Sequence, residues 1–135
     1  MARAQKVSYF AMRAPSRVGE AARILTGLSK AGIDLLAFTG FPDGRQSQMD
    51  FIPVNAEAFL AVARGMKLRL RAKKTGFLIH GKDQRGAIAK VMMKLAAAKI
   101  YVTAVDAVSA GGGRFGAILW VKQKDVNRAA TALGA

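Results

Sequence analysis

Residues 77–100, Phe77-Leu-Ile-His-Gly-Lys-Asp83-Gln-Arg-Gly86-Ala-Ile-Ala-Lys-Val-Met-Met-Lys-Leu95-Ala-Ala-Ala-Lys-Ile100, repeat an earlier part of the same chain. The earlier part is Phe10-Ala-Met-Arg-Ala-Pro-Ser16-Arg-Val-Gly19-Glu-Ala-Ala-Arg-Ile-Leu-Thr-Gly-Leu28-Ser-Lys-Ala-Gly-Ile33. Phe10 and Phe77, Ser16 and Asp83, Gly19 and Gly86, Leu28 and Leu95, and Ile33 and Ile100 all stand 67 residues apart, so the match needs no gap. A repeat governs every later inference about fold. Two copies are too few for a solenoid and fit a duplicated small domain, whose related sites need not both work.

In the first copy, residues 6–13 are apolar and aromatic and suit a strand. Pro15 interrupts the chain, and Ser16 stands where a helix N-cap is expected. Ala21, Ile24, Leu25 and Leu28 recur at helical spacing, and Gly32 marks the helix end. A short apolar run, 35–39, leads to a turn signal at Phe41-Pro-Asp-Gly44. Gln48 to Val54 reads as a returning strand, and Asn55 caps a helix over 56–64. Leu68, Leu70 and Ala72 alternate with Arg69 and Arg71 as a fourth strand with one wet face would. The second copy follows the same order: strand 75–80, helix 84–98, strand 101–108, a turn at Gly111-Gly-Gly113, strand 115–122 and helix 126–133. Ile88, Val91, Met92 and Leu95 form the buried stripe of its first helix, with Lys90 and Lys94 outward. Trp120, Met92 and Met93 are expected in the core or at a module interface.

The order β-α-β-β-α-β predicts α+β architecture, two tandem ferredoxin-like modules with helices on one face of an antiparallel sheet. The modules are expected at 1–72 and 73–135. Only Gly134 and Ala135 follow the last predicted helix, so the second module must lack or borrow its final strand. An unpaired edge invites pairing, so the modules are expected to share one sheet or the chain to dimerise along it.

Composition narrows the function. At 135 residues and 52% apolar content the chain can bury a core, and without cysteine it forms no disulfide or thiolate centre. No apolar run approaches a membrane span, and the short Val7–Met12 stretch is too brief for a secretory core. A cytoplasmic location with no membrane partner is therefore expected. The net charge of +14 is spread evenly: residues 1–72 hold 11 Lys/Arg and 5 Asp/Glu, and residues 73–135 hold 11 and 3. Such a charge attracts polyanions without specifying a fold.

The run Asp83-x-x-Gly86, then an amphipathic helix, then Ala98-Lys99-Ile100-Tyr-Val-Thr resembles the ACT domain, a regulatory module that binds amino acids. The first copy is similar through Ser16-x-x-Gly19 and Ala31-Gly32-Ile33-Asp34, and the resemblance covers roughly 8–125 as two tandem modules. The chain departs from the family in carrying Val18 and Arg85 where proline often precedes the glycine, and Ser16 where aspartate is favoured. The resemblance implies a ligand held between modules against the loop and the start of the second strand. Carried over, the binding residues are His80, Lys82, Asp83, Gln84, Arg85, Gly86, Ala87, Tyr101, Val102 and Thr103, with Arg13, Ser16, Gly19 and Asp34 in the first copy. It implies no enzyme and no cofactor. The partners expected are an amino acid or similar small molecule, a second copy in a homodimer, and a protein partner.

Local chemistry points to the same loop. Asp83 stands at a predicted N-cap, and Gly86 falls about three positions into the predicted helix, where glycine costs about 1 kcal/mol against alanine. Close approach of a ligand or of backbone would explain it. N–H groups at the helix start would hold a carboxylate, and Asp83 an ammonium.

Other signals are weaker. Gly111-x-Gly113-x-x-Gly116 matches a dinucleotide fingerprint but joins two strands, where that motif must lead into a helix. Arg114-Phe115-Gly116-Ala117, with Phe77 on the first strand, partly echoes RNA-recognition domains, whose rings stack on bases. Nucleic-acid binding is thus an alternative, and an assembly scaffold with vestigial sites is another. His80 is the only histidine, no carboxylates pair at a catalytic spacing, and no serine stands in a nucleophile elbow.

Overall fold

Phe10, Met12 and Ala14 lie on one side of strand β1 (Arg3–Pro15) because side chains alternate along a strand, and all three are buried. Met49 and Phe51 do the same from β3 (Gln46–Pro53), which pairs antiparallel with β1 in the register Phe10 to Phe51. Helix α1 (Glu20–Lys30) lays Ile24 and Leu28 on this surface, and α2 (Ala56–Gly65) adds Phe59 and Ala63. The rings of Phe10 and Phe59 stack at 5.4 Å, and those of Phe51 and Phe59 meet at 5.5 Å. Each fully buried side chain of this size contributes about 1.5–3 kcal/mol, and an aromatic pair about 0.5–1.5 kcal/mol more. Strand β2 (Leu35–Asp43) pairs antiparallel with β3, giving the order β2-β3-β1.

The second unit uses the same plan with a smaller second helix. Strands β4 (Lys74–Lys82), β5 (Val102–Gly111) and β6 (Arg114–Val121) run in the order β4-β6-β5, with Phe77 opposite Leu119. Helix α3 (Ala87–Ala97) buries Val91 and Leu95 on Phe77, Ile79 and Leu119, and α4 (Val126–Leu133) buries Ala129, Ala130 and Leu133. A short 3-10 turn, Gln123–Asp125, precedes α4.

This computed structural model describes residues 2–135. Ser8–Lys74 form one compact unit, and Thr75–Ala135 form the other together with the residues up to Val7. The start of β1 therefore lies beside β4 in the second unit, where a fourth strand of the β-α-β-β-α-β order would pair. The expected division at 72/73 assigned those first residues to the other module. Among the described residues the architecture is α+β: six strands, antiparallel in every described pairing, and four α-helices.

Three local expectations change. Residues 68–72 form no strand: Leu68 and Leu70 pack on the first core, and a single bond joins the Arg71 N–H to the Ala11 carbonyl at 2.8 Å. Alternation reports one buried side, which an extended but unpaired segment also has. Phe41 and Pro42 continue β2, and the turn falls at Gly44-Arg45. Met93 is 69% exposed rather than in the core, whereas Met92 packs partly against it.

The duplication persists in the irregularities. β2 shifts register between Leu35 and Ala37, and β5 shifts between Val102 and Ala104, the equivalent place. A second shift in β5, between Ser109 and Gly111, has no counterpart. It absorbs one extra residue, as a bulge does. From there the copies stand 68 residues apart, as Phe51 and Leu119 show.

After α1 the chain turns through Gly32 in the left-handed region, and the Ile33 N–H reaches the Leu28 carbonyl at 3.0 Å. After α3 the same turn, Ile100 to Leu95 at 3.0 Å, is made through Lys99 with φ of 57°. A side chain there costs about 1–2 kcal/mol, against a backbone-entropy penalty for glycine of about 0.5–1 kcal/mol. Lys99→Gly should accordingly stabilise the chain by about 0.5–1 kcal/mol, read from urea unfolding midpoints.

The first unit also holds a buried acid. Asp50 accepts a hydrogen bond from the Thr39 hydroxyl at 2.8 Å and from the Gln48 amide at 3.2 Å. Burial first, and the Asp50 carboxylate second, hold the Tyr9 phenol above its ordinary pKa. The folded chain therefore keeps the phenolic proton more tightly than the unfolded chain. That contribution is present below about pH 10 and is lost as pH rises through the folded value. Tyr9→Phe should reduce the loss of stability between about pH 8 and about pH 11 relative to the parent chain, in unfolding curves at the two values.

Candidate functional site

The helices following β1 and β4 begin later than their sequence suggests. α1 starts at Glu20 behind Gly19 with φ of 89°, and α3 starts at Ala87 behind Gly86 with φ of 82°. The glycines themselves are the N-caps, in a conformation that a side chain resists. A Cβ built on either meets nothing within 4 Å. Backbone conformation, not close approach of another group, thus explains the glycine.

Ser16 and Asp83 are consequently not caps and are free to reach across the loop. Asp83 accepts a hydrogen bond from the Ser109 hydroxyl of β5, and its N–H donates to the Gly113 carbonyl at 2.8 Å. Ser16 and Ser47 bond through their hydroxyls at 3.0 Å. These contacts tie each loop to its own sheet and leave a groove between them.

In the second unit this groove has a volume of about 390 Å³. Its loop side is formed by Asp83, Gln84 and Gly86 with the first turn of α3, Ala87–Ala89, and its sheet side by Ala107, Val108 and Ser109. The first unit has an equivalent groove of about 350 Å³, bounded by Arg17, Glu20 and Ala21 and by Gly40, Phe41 and Pro42. Gly40–Pro42 and Ala107–Ser109 are again 67 residues apart, so the same feature occurs twice.

The grooves differ in charge. In the first, Glu20 occupies the first turn of α1 and accepts hydrogen bonds from Arg23 at 2.9 and 3.3 Å. That hydrogen bond holds the Glu20 carboxyl below its ordinary value against an opposing desolvation, with smaller help from the charges of Arg23 and Arg17. The helix start there already has its anion. In the second, Ala87 stands at the equivalent position and α3 has no acidic residue in its first turn. The Ala87 N–H is spent on the Gln84 carbonyl at 3.1 Å, while the next N–H groups of the first turn, those of Ile88 and Ala89, lack intrahelical acceptors, so this groove pairs helix-start donors with one carboxylate, Asp83.

The sequence-predicted residues of the second copy separate into three places. Asp83, Gln84, Gly86 and Ala87 meet at the second groove; Lys82 lines an adjoining cavity, and Arg85 is exposed on the loop. His80 lies on β4 with its Nδ1 3.0 Å from the Arg114 guanidinium. Tyr101, Val102 and Thr103 stand at the opposite end of β5 from Ser109, where the Thr103 hydroxyl donates to the Trp120 carbonyl at 3.1 Å. Along one strand, seven residues span roughly 23 Å, so no ligand of amino-acid size touches both ends. In the first copy, Gly19 caps α1, Arg13 pairs with Asp43 at 2.6 Å, and Asp34 accepts from the Leu35 N–H at 2.9 Å.

Sequence reasoning missed Ala107, Val108 and Ser109. The constant spacing carries Gly40–Pro42 onto them, but nothing in their residue types announces a site. Phe77 and Phe115, the rings that echo RNA-recognition strands, are both buried in the core beneath α3 and α4, so neither lies on an open sheet surface where bases stack. Among the described residues no three His, Asp or Glu side chains group as metal ligands would, and no helix is long and apolar enough to cross a membrane.

No protein-family model and no curated protein matches the sequence. Solved structures do share the fold. Protein BT0572 from Bacteroides thetaiotaomicron superposes with a TM-score of 0.82 at 13% identity, covering 97% of this chain and 88% of that one. The regulatory subunit of aspartate kinase from Thermus thermophilus, in its ligand-free form, gives 0.66 at 16% identity over 98% and 94%. The corresponding subunit from Thermus flavus gives 0.56 at 17% identity over 99% and 94%. The fold is the ACT-like fold of aspartate kinase regulatory domains. At these identities the likeness is one of fold.

Proposed function

We propose that the protein is a non-enzymatic regulator that senses an amino acid or a similar small molecule in the groove of its second unit. Fold alone implies no function, and the reading rests chiefly on one juxtaposition. The Asp83 carboxylate and the acid-free start of α3 line one groove of about 390 Å³. An α-ammonium has its partner in Asp83, and an α-carboxylate has N–H donors and the positive helix end. Gln84, Gly86 and Ala87 complete the contact, with Arg85 at its rim. The first groove carries Glu20 where a ligand carboxylate would sit, which disfavours the same ligand there. Resemblance in fold to regulatory subunits supports the non-enzymatic reading.

The groove opens on β5, which suggests how occupancy is passed on. β5 is an edge strand with nine of its ten residues exposed, Val108 among them at 65%, and only Asp106 brings a charge to it. Bare edges of this kind pair with another strand. A second copy aligned along β5 would cover the groove, so that ligand and assembly favour one another. Such coupling requires different affinities in the two states.

A thermal-shift series with each common amino acid at millimolar concentration should show one or two that stabilise the chain at both low and high salt. Asp83→Ala should abolish that response. Ser109→Ala, which removes the same internal hydrogen bond, should retain it. A chain unmoved by every amino acid defeats the sensor reading. For assembly, light scattering should give a dimer, and Val108→Lys should give a folded monomer of unchanged far-ultraviolet circular dichroism.

A further inference from the structure

On the other side of the Lys82–Ala87 loop lies a cavity of about 260 Å³ lined by Lys82, Lys90 and Lys94, with Gln84. Its apolar wall includes Val91 and Phe115, both buried in the core of the unit. No carboxylate lines it, and none of the three lysines takes part in an ion pair among the described residues. Lys90 and Lys94 are one turn apart on α3, where like charges repel.

The first unit shows how the same surface looks without a site. Its residues at the equivalent positions are Pro15, Arg23 and Gly27, leaving one cation, and Glu20 holds that cation at 2.9 Å. The hollow is filled as well: a Cβ on Gly27 would lie 2.6 Å from the Met66 methyl carbon. In the second copy the acid has become Ala87, two further positions have become lysine, and the hollow is open. Three uncompensated ammonium groups beside a low-dielectric wall concentrate positive potential in one small space.

We propose that this cavity binds the phosphate groups of a small molecule; it shares Gln84, Ala87 and Phe115 with the amino-acid groove, and its three lysines lie outside that groove. Lysine binds phosphate as a point charge, three such charges match a multiply charged anion, and the Gln84 amide adds a neutral donor. Pockets that enclose drug-sized ligands run to about 300–1,000 Å³, so this one takes a phosphate group and part of what carries it. Val91 and Phe115 supply contact for that part.

The test is calorimetric titration of the full chain with inorganic pyrophosphate and with ADP, without magnesium and against potassium chloride at matched ionic strength. Both anions should bind, and the Lys90→Gln/Lys94→Gln pair should weaken binding at least tenfold. The Lys90→Arg/Lys94→Arg pair should keep it, and Lys30→Gln/Lys67→Gln should leave it unchanged. Tighter binding of ADP than of pyrophosphate supports the site and assigns the apolar wall to the carrier of the phosphate. Equal binding supports a site for the phosphate groups alone. Anions no better than chloride, equal losses in the two glutamine pairs, or binding confined to a single-stranded RNA would overturn the proposal. Asp83→Ala should leave pyrophosphate binding intact, which separates this outcome from failure of the sensor reading.

Discussion

The left-handed glycine that precedes each long helix is the constraint on which the sites depend. Gly19 and Gly86 end their loops at positive φ, so α1 and α3 begin without a side-chain cap. An Asp or Ser at the cap would normally satisfy one of the first N–H groups. Here the polar residue sits three positions earlier and is turned towards the sheet instead, Asp83 to Ser109 and Ser16 to Ser47. One backbone angle therefore does two things: it leaves the helix-start N–H groups without a side-chain cap and frees the polar residue of the loop to line the groove. A groove with helix-start donors and one carboxylate along its loop side follows from that geometry.

Much of the fold is legible in the sequence because its signals are periodic and local. Ile24 and Leu28, and Val91 and Leu95, are buried where helical spacing places them, and Asn55 accepts the Ala58 N–H at 3.0 Å as a cap should. The misreadings share a physical origin. The apolar alternation of Leu68 and Leu70 says that one side is covered, but not that a neighbouring backbone supplies hydrogen bonds. Proline at 42 reads as a turn, although a strand that is bonded on one edge tolerates it. Asp83 looks like a cap because the sequence shows a polar residue before a helix and cannot show a φ angle. The part of the groove on β5 was illegible for a simpler reason: Ala107 and Val108 act through position alone.

Comparison of the copies separates what the fold requires from what one copy has added. Phe10 and Phe77, the capping glycines, and the register shift early in the second strand recur, and each has a structural reason. The differences cluster along one helix, at positions three and four residues apart. Glu20, Arg23 and Gly27 in the first copy form a neutralised and filled surface, closed by an ion pair and by Met66. Ala87, Lys90 and Lys94 in the second leave the same surface open and positively charged.

Stability does not call for that second arrangement. A lysine pair one turn apart is unfavourable on a helix, and an acid in the first turn is favourable, so the first copy is the better helix by both criteria. Lys94 stands where Gly27 stands in the first copy, so helix propensity gains from it, yet that gain would come equally from alanine. Open space beside a buried wall also forgoes the contacts that Met66 makes in the first unit. The second copy thus departs from its twin in the direction that costs helix electrostatics and packing, and it does so on both sides of one loop. A domain whose only role was to complete the fold would have no use for that departure; a domain that holds an anion beside α3, as proposed above, would.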